Sequence, residues 1–167
     1  MAEIERKWNK HSILVILTFI GCIGTVTAVE WSWQTENVDL GSYGWFSSIA
    51  LDSSGYPHIS YADHRSYDLK YAWKDWQDVW FTETLDSKGE VGDFSSLKLS
   101  SVNNVPTIAY FDTTNSKLKY AEKNPVTGWW NTTLDSGGRY LSLVLEVNGR
   151  PHISYTNYGS DSLYHAY

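Results

Sequence analysis

From Trp31 onward, apolar and polar residues alternate over short runs, and each run is closed by Asp, Ser, Asn or Gly. A period of two predicts half-buried β-strands, and the closing residues predict turns. Trp31-Ser32-Trp33-Gln34-Thr35-Glu36-Asn37-Val38-Asp39 is the first predicted strand and Phe46–Leu51 the second. The turn Asp52-Ser53-Ser54-Gly55 follows, in which Asp and Ser open the bend and Gly supplies a positive φ. Pro57–Tyr61, the polar loop Asp63-His64-Arg65-Ser66, Leu69–Trp73 and Val79–Asp86 complete a unit. No stretch of this part has helical periodicity.

The unit then returns. Gly55-Tyr56-Pro57-His58-Ile59-Ser60-Tyr61 recurs as Gly149-Arg150-Pro151-His152-Ile153-Ser154-Tyr155, with Val105-Pro106-Thr107-Ile108-Ala109-Tyr110 as a weaker copy between them. The three prolines are roughly 49 and 45 residues apart, a period typical of propeller blades or solenoid repeats. Phe94–Leu99 and Tyr140–Leu145 repeat Phe46–Leu51, while Leu118–Ala121 and Leu163–Ala166 repeat Leu69–Ala72. Trp33–Asp39 aligns with Trp80–Asp86 and with Trp129–Asp135, so the chain opens on a fourth strand and stops after a third. The expected fold is all-β: about three four-stranded β-propeller blades in permuted phase, over 45–87, 94–136 and 139–167, with 31–39 completing the last. Three blades would each have to turn about 120°, so the ring is expected to be incomplete. Either the chain is a fragment, or two copies form a homodimer closing a six-bladed ring without open edges.

The pattern Phe-Ser-Ser-x-x-Leu-Asp-Ser-x-Gly-x-Pro-His-Ile-Ser-Tyr, then Leu-Lys-Tyr-Ala, then Trp and Leu-Asp-Ser, resembles secreted propeller repeats of microbial, often archaeal, surface proteins. Such repeats are commonly grouped with sialidase-like propellers. The resemblance covers 31–167 and implies a fold rather than an activity. The Asp-box Ser-x-Asp-x-Gly-x-x-Trp is missing from every repeat, so it does not imply sialidase activity.

Composition narrows the partners. A formal charge of −6 leaves no basic stripe for nucleic acid, whereas 9 Trp and 12 Tyr suit glycan or protein surfaces. Arg6, Lys7 and Lys10 precede an apolar run from Ile13 to Val29, with Val26-Thr27-Ala28 as a cleavage site. Residues 1–29 are thus expected to be a signal peptide or a signal-anchor helix, the membrane being reached only through 13–29, and residues 30–167 to be exported to the cell surface. Cys22 lies inside that run, so the exported part has no thiol or disulfide.

The candidate binding residues lie on three equivalent hairpin loops expected on one rim: Asp63, His64, Arg65 and Asp68; Asp112 and Asn115; Asn157 and Asp161. As turn formers, the same residues have a purely structural reading. Of Trp45, Trp73 and Trp76, which stand outside the regular repeat positions, Trp76 is expected to be the most exposed. His58 and His152 occupy one repeat position and are expected to hydrogen-bond between blades rather than hold a metal; no cofactor is expected. Recurring Tyr61, Tyr110 and Tyr155 are expected in the core, and Glu83 facing solvent. Asn131-Thr132-Thr133 is an N-glycosylation sequon. No carboxylate spacing singles out a glycosidase pair, so a binding or adhesion module is expected, with a sialidase-like hydrolase or an inactive fragment of a longer propeller protein as the alternatives.

Overall fold

The structure, a computed structural model, describes residues 14–16, 25–27, 32–157, 160 and 162–167. The chain divides into two units, 1–36 and 37–167. In the first, β1 (Leu14–Ile16) and β2 (Thr25–Thr27) pair antiparallel. The expected signal or anchor segment otherwise lies outside the described residues, as do Cys22 and Asp161. Residues 32–37 carry no strand, which corrects the expectation of one over 31–39.

The second unit is a series of antiparallel sheets. The first contains β3 (Gly44–Leu51), β4 (Pro57–Asp63), β5 (Asp68–Lys74) and β6 (Trp80–Asp86) in that order. The second contains β7 (Val91–Leu99), β8 (Pro106–Asp112), β9 (Lys117–Asn124) and β10 (Gly128–Ser136). The third has three strands, β11 (Arg139–Leu145), β12 (Pro151–Asn157) and β13 (Ser162–Ala166), leaving β13 as an edge. The described residues contain no helix. Among the described residues, the connections from β3 to β12 are short hairpins or bends, as the Asp, Asn, Ser and Gly clusters predict. Asp52, for example, accepts the amides of Ser54 and Tyr56, and Gly55 turns at φ 85°.

The sheets pack face to face, with β7 lying against both β3 and β11. One core joins Leu69 and Tyr71 of the first sheet to Leu97, Ile108 and Tyr110 of the second. The other joins Ala109, Leu118 and Tyr120 to Leu143, Ile153 and Tyr155 of the third. The recurring tyrosines are core residues, as expected. Fully burying an aliphatic side chain such as Leu97 or Leu143 contributes about 1.5–3 kcal/mol.

Three polar or close-packed contacts recur at both junctions. Ser48 Oγ accepts the Leu97 amide at 3.0 Å, and Ser96 Oγ accepts the Leu143 amide at 3.1 Å. Gly92 (φ 97°) and Gly138 (φ 119°) pass so close to Leu69 and Leu118 that a Cβ would meet their Cα atoms at 3.0 and 2.9 Å. Third, an Asp at the end of a fourth strand receives a tyrosine hydroxyl from the next sheet. Tyr110 donates to Asp86 at 2.8 Å with Lys119 on the same carboxylate, and Tyr155 donates to Asp135. Asp39 makes the same contacts with Tyr61 (2.7 Å) and Lys70 (2.9 Å) although no strand precedes it. The sequence alignment of Asp39 with Asp86 and Asp135 thus holds in space, even though the strand does not form.

Candidate functional site

The most irregular backbone lies on the first strand of each sheet. Phe46, Phe94 and Tyr140 adopt φ values of 51°, 53° and 50° at β-bulges that interrupt the pairing of β3, β7 and β11. Left-handed backbone at a bulky residue is unfavourable and clusters where a site is being shaped. The effect is to line up the three rings, with centroids 4.6 Å apart for Phe46–Phe94 and 4.9 Å for Phe94–Tyr140. Phe46 and Tyr140 remain exposed.

The residues just before these aromatics break the repeat: Trp45, Asp93 and Arg139. Trp45 stacks on His64 at 3.7 Å with planes 14° apart, and Tyr67 packs edge-on to the same imidazole at 5.1 Å. A cavity of about 160 Å³ opens beside this stack, lined by Trp45, Phe46, Ala62, Asp63, His64, Tyr67, Glu90, Val91 and Asp93. Asp93 accepts the Thr113 hydroxyl at 2.7 Å. The Glu90 backbone is fixed from both sides: its amide donates to Thr114 Oγ1 (2.7 Å), and its carbonyl accepts the Thr113 amide (2.9 Å).

Asp63 accepts the Arg65 amide at 3.0 Å and pairs with Lys70 at 3.3 Å. Burial alone would raise its carboxyl, but the Arg65 amide and Lys70 more than offset that and hold it below the usual carboxylate range. It is therefore an ionised acceptor rather than a proton donor. Flat apolar walls with carboxylate acceptors at the edge suit a small ring bearing hydroxyl groups, which offers CH faces to the rings and O–H donors to the acids.

The predicted residues are thereby sorted. Asp63 and His64 line the cavity. Arg65 is turned away, donating to the Gly41 carbonyl at 2.6 Å and lying over Tyr43. Asp68 stands opposite Asp63 at the head of β5. Asp112 is buried and accepts both the backbone and side-chain N–H groups of Asn115, which is the turn-former role. Asn157 ends β12, against Gly137. Trp76 is 75% exposed, as expected, but sits on the β5–β6 hairpin at the opposite end of the sheet. Asn131 is exposed on the edge strand β10, so the sequon is accessible.

Two expectations are corrected. His58 and His152 bond within their own sheets, to Tyr71 and to Glu146 and His165, because Tyr71 and His165 stand within reach on the neighbouring strand. Glu83 does not simply face solvent: it accepts Trp129 Nε1 and Lys123 Nζ of the second sheet, each at 2.7 Å. Among the described residues no group of His, Cys, Asp and Glu is arranged to hold a metal. Sequence reasoning missed Trp45, Phe46 and Asp93. The signal available was the aromatic directly before the Ser-Ser pair of the first two repeats, with a different residue type before it each time. No protein-family model matches this chain, and no curated protein matches it.

Proposed function

We propose that this chain is an exported binding module built of β-propeller blades, and that the cavity beside Trp45 takes one ring of a neutral glycan. The observation that carries this reading is the Trp45–His64 stack facing the acids Asp63, Glu90 and Asp93 in one small cavity. The acids disfavour sialic and other anionic sugars by like-charge repulsion. The site is single rather than repeated, because only the first sheet has an indole at this position. Its neighbours carry Asp93 and Arg139 there, so recognition does not depend on equivalent rim loops acting together. The hydrolase reading has less support, since the ionised Asp63 cannot serve as a general acid.

Calorimetric titration of the full chain with neutral gluco- and manno-oligosaccharides tests the site. Trp45→Ala is expected to weaken binding about tenfold, by loss of one stacking face. Trp76→Ala, at the far rim, is expected to leave it unchanged. Equal affinity in Trp45→Ala, or binding of sialylated glycans alone, would contradict the site. Release of reducing ends during the titration would instead favour the hydrolase.

A further inference from the structure

The first and third sheets each keep one face without a neighbour, and these two faces correspond to the halves of the junctions already formed inside the chain. On β3, Ile49 is 62% exposed, whereas its counterparts Leu97 and Leu143 are fully buried by the sheet before them. On β13, Leu163 is 78% exposed, whereas its counterparts Leu69 and Leu118 are fully buried by the sheet after them. The partner elements of the Ser–amide and Gly–Leu contacts are also divided between the two faces. Ser142, exposed on β11, stands where Ser48 and Ser96 accept an amide, and Ile49 stands where Leu97 and Leu143 donate one. Gly44 holds the place of Gly92 and Gly138, which seat on Leu69 and Leu118.

We infer that a second copy of this chain completes this junction: its third sheet seats on the first sheet and receives residues 33–39 as its missing fourth strand. This inference is independent of glycan binding. Three observations favour a copy that exchanges this segment. Asp39 already makes the tyrosine and lysine contacts that Asp86 makes at the end of β6, so the end of this segment stands where a fourth strand would end, on the open face of the first sheet. Trp80 Nε1 is buried without a hydrogen-bond partner, whereas its counterpart Trp129 donates to the fourth strand of the preceding sheet. That strand is what the first sheet lacks in front of it.

The third observation is the receiving groove. Beside the free edge of β13 lies a groove of about 620 Å³ lined by Tyr120, Trp130, Leu134, Ile153 and Ala166, among others. Trp33, in the place of Trp129, would enter it against Tyr120, just as Trp129 meets Tyr71 edge-on at 5.1 Å. An unpaired edge beside an apolar groove is how sheets recruit an added strand. In this structure Trp33 is 99% exposed. Each chain offers one of each face, so two copies related by a two-fold axis form two identical junctions and leave neither face open.

The register follows from β5 and β6, where Ala72 faces Thr82 and Tyr71 faces Glu83. Carried over, Ala166 of one copy faces Thr35 of the other, and His165 faces Glu36. The test is made on the full chain with Cys22→Ser, adding Thr35→Cys/Ala166→Cys in one variant and Glu36→Cys/His165→Cys in another. Light scattering of the parent chain should give about twice 19.1 kDa. Mild oxidation should cross-link at least one variant into a covalent dimer on a non-reducing gel. Trp33→Ala should give a single-chain mass with unchanged far-ultraviolet circular dichroism. A single-chain mass for the parent, a disulfide formed within one chain, or no cross-link in either variant would overturn the proposal.

Discussion

The second sheet has a neighbour on both faces, whereas the first and third have one each, and equivalent residues record the difference. All seven residues of β8 are buried, whereas β4 and β12, with the same Pro-x-Ile-x-Tyr text, are covered less: Pro57, His58 and Ile59 are half-buried, and β12 buries only Ile153 and Tyr155. The strand sequence alone therefore does not decide burial. What decides it is the set of junction contacts, namely the Ser hydroxyl, the Gly–Leu approach and the Asp–Tyr bond. Each appears at both internal junctions, and only the Asp–Tyr bond appears at the open face of the first sheet.

The sharpest way to break the comparison is at the carboxylates. Asp86 is buried and bonded to both Tyr110 and Lys119, while Asp135 has the tyrosine but no lysine, because Tyr164 replaces it. Asp86→Asn should cost about 3 kcal/mol in denaturant unfolding, since it removes the nearer carboxylate of buried Lys119 and leaves only Asp112, at 3.9 Å. Asp135→Asn should cost about 1 kcal/mol, the loss of one hydrogen bond. The pH dependence follows the same logic. Burial alone would raise Asp86, but Lys119 and Tyr110 more than offset it, and its carboxyl is held below the usual range; Asp39 and Asp135 are lowered as well. A group with a lowered folded pKa contributes stability that is fully present above its unfolded value near about 4 and is lost as pH falls through the folded value. The chain should therefore lose stability below pH ~4, with a shallower slope in Asp86→Asn. On the other side of the same bond, burial first and Asp135 second push the Tyr155 phenol up to about 12.

Next in size are the leucines. Leu118→Ala should cost about 2–5 kcal/mol at any protein concentration, as for a buried leucine in a packed core. Leu163→Ala, at the equivalent exposed position, should leave a dilute sample within about 0.5 kcal/mol of the parent. Denaturant melts at two concentrations separate the internal junction from the open face. Smallest are the glycines. Gly138→Ala should destabilise by about 1–3 kcal/mol, because both its positive φ and the Leu118 backbone resist a Cβ. Gly44→Ala should cost less, since a Cβ there meets only the Tyr61 side chain, at 3.4 Å. Thermal melts of the pair would check the difference.

Much of this was legible from the text because local chemistry fixes it. The period of two, the turn residues and the spacing of the prolines determine strands, hairpins and a repeated sheet. Asp63 and His64 were legible as site residues because they sit on a polar loop at a sheet end. The cavity itself was not, since Trp45, Phe46 and Asp93 stand inside strands, and the aromatic before the Ser-Ser pair does not by itself tell that a bulge brings these residues together. Residues 33–39 show the same limit from the other direction. They match β6 and β10 in sequence, but a strand needs an edge to pair with, and the described structure gives them none. The amino-acid sequence by itself determined which segments can form strands and where the chain turns. Only the tertiary structure decided which face of each sheet is covered and which carboxylate meets which tyrosine, because burial and pairing depend on neighbours distant along the chain.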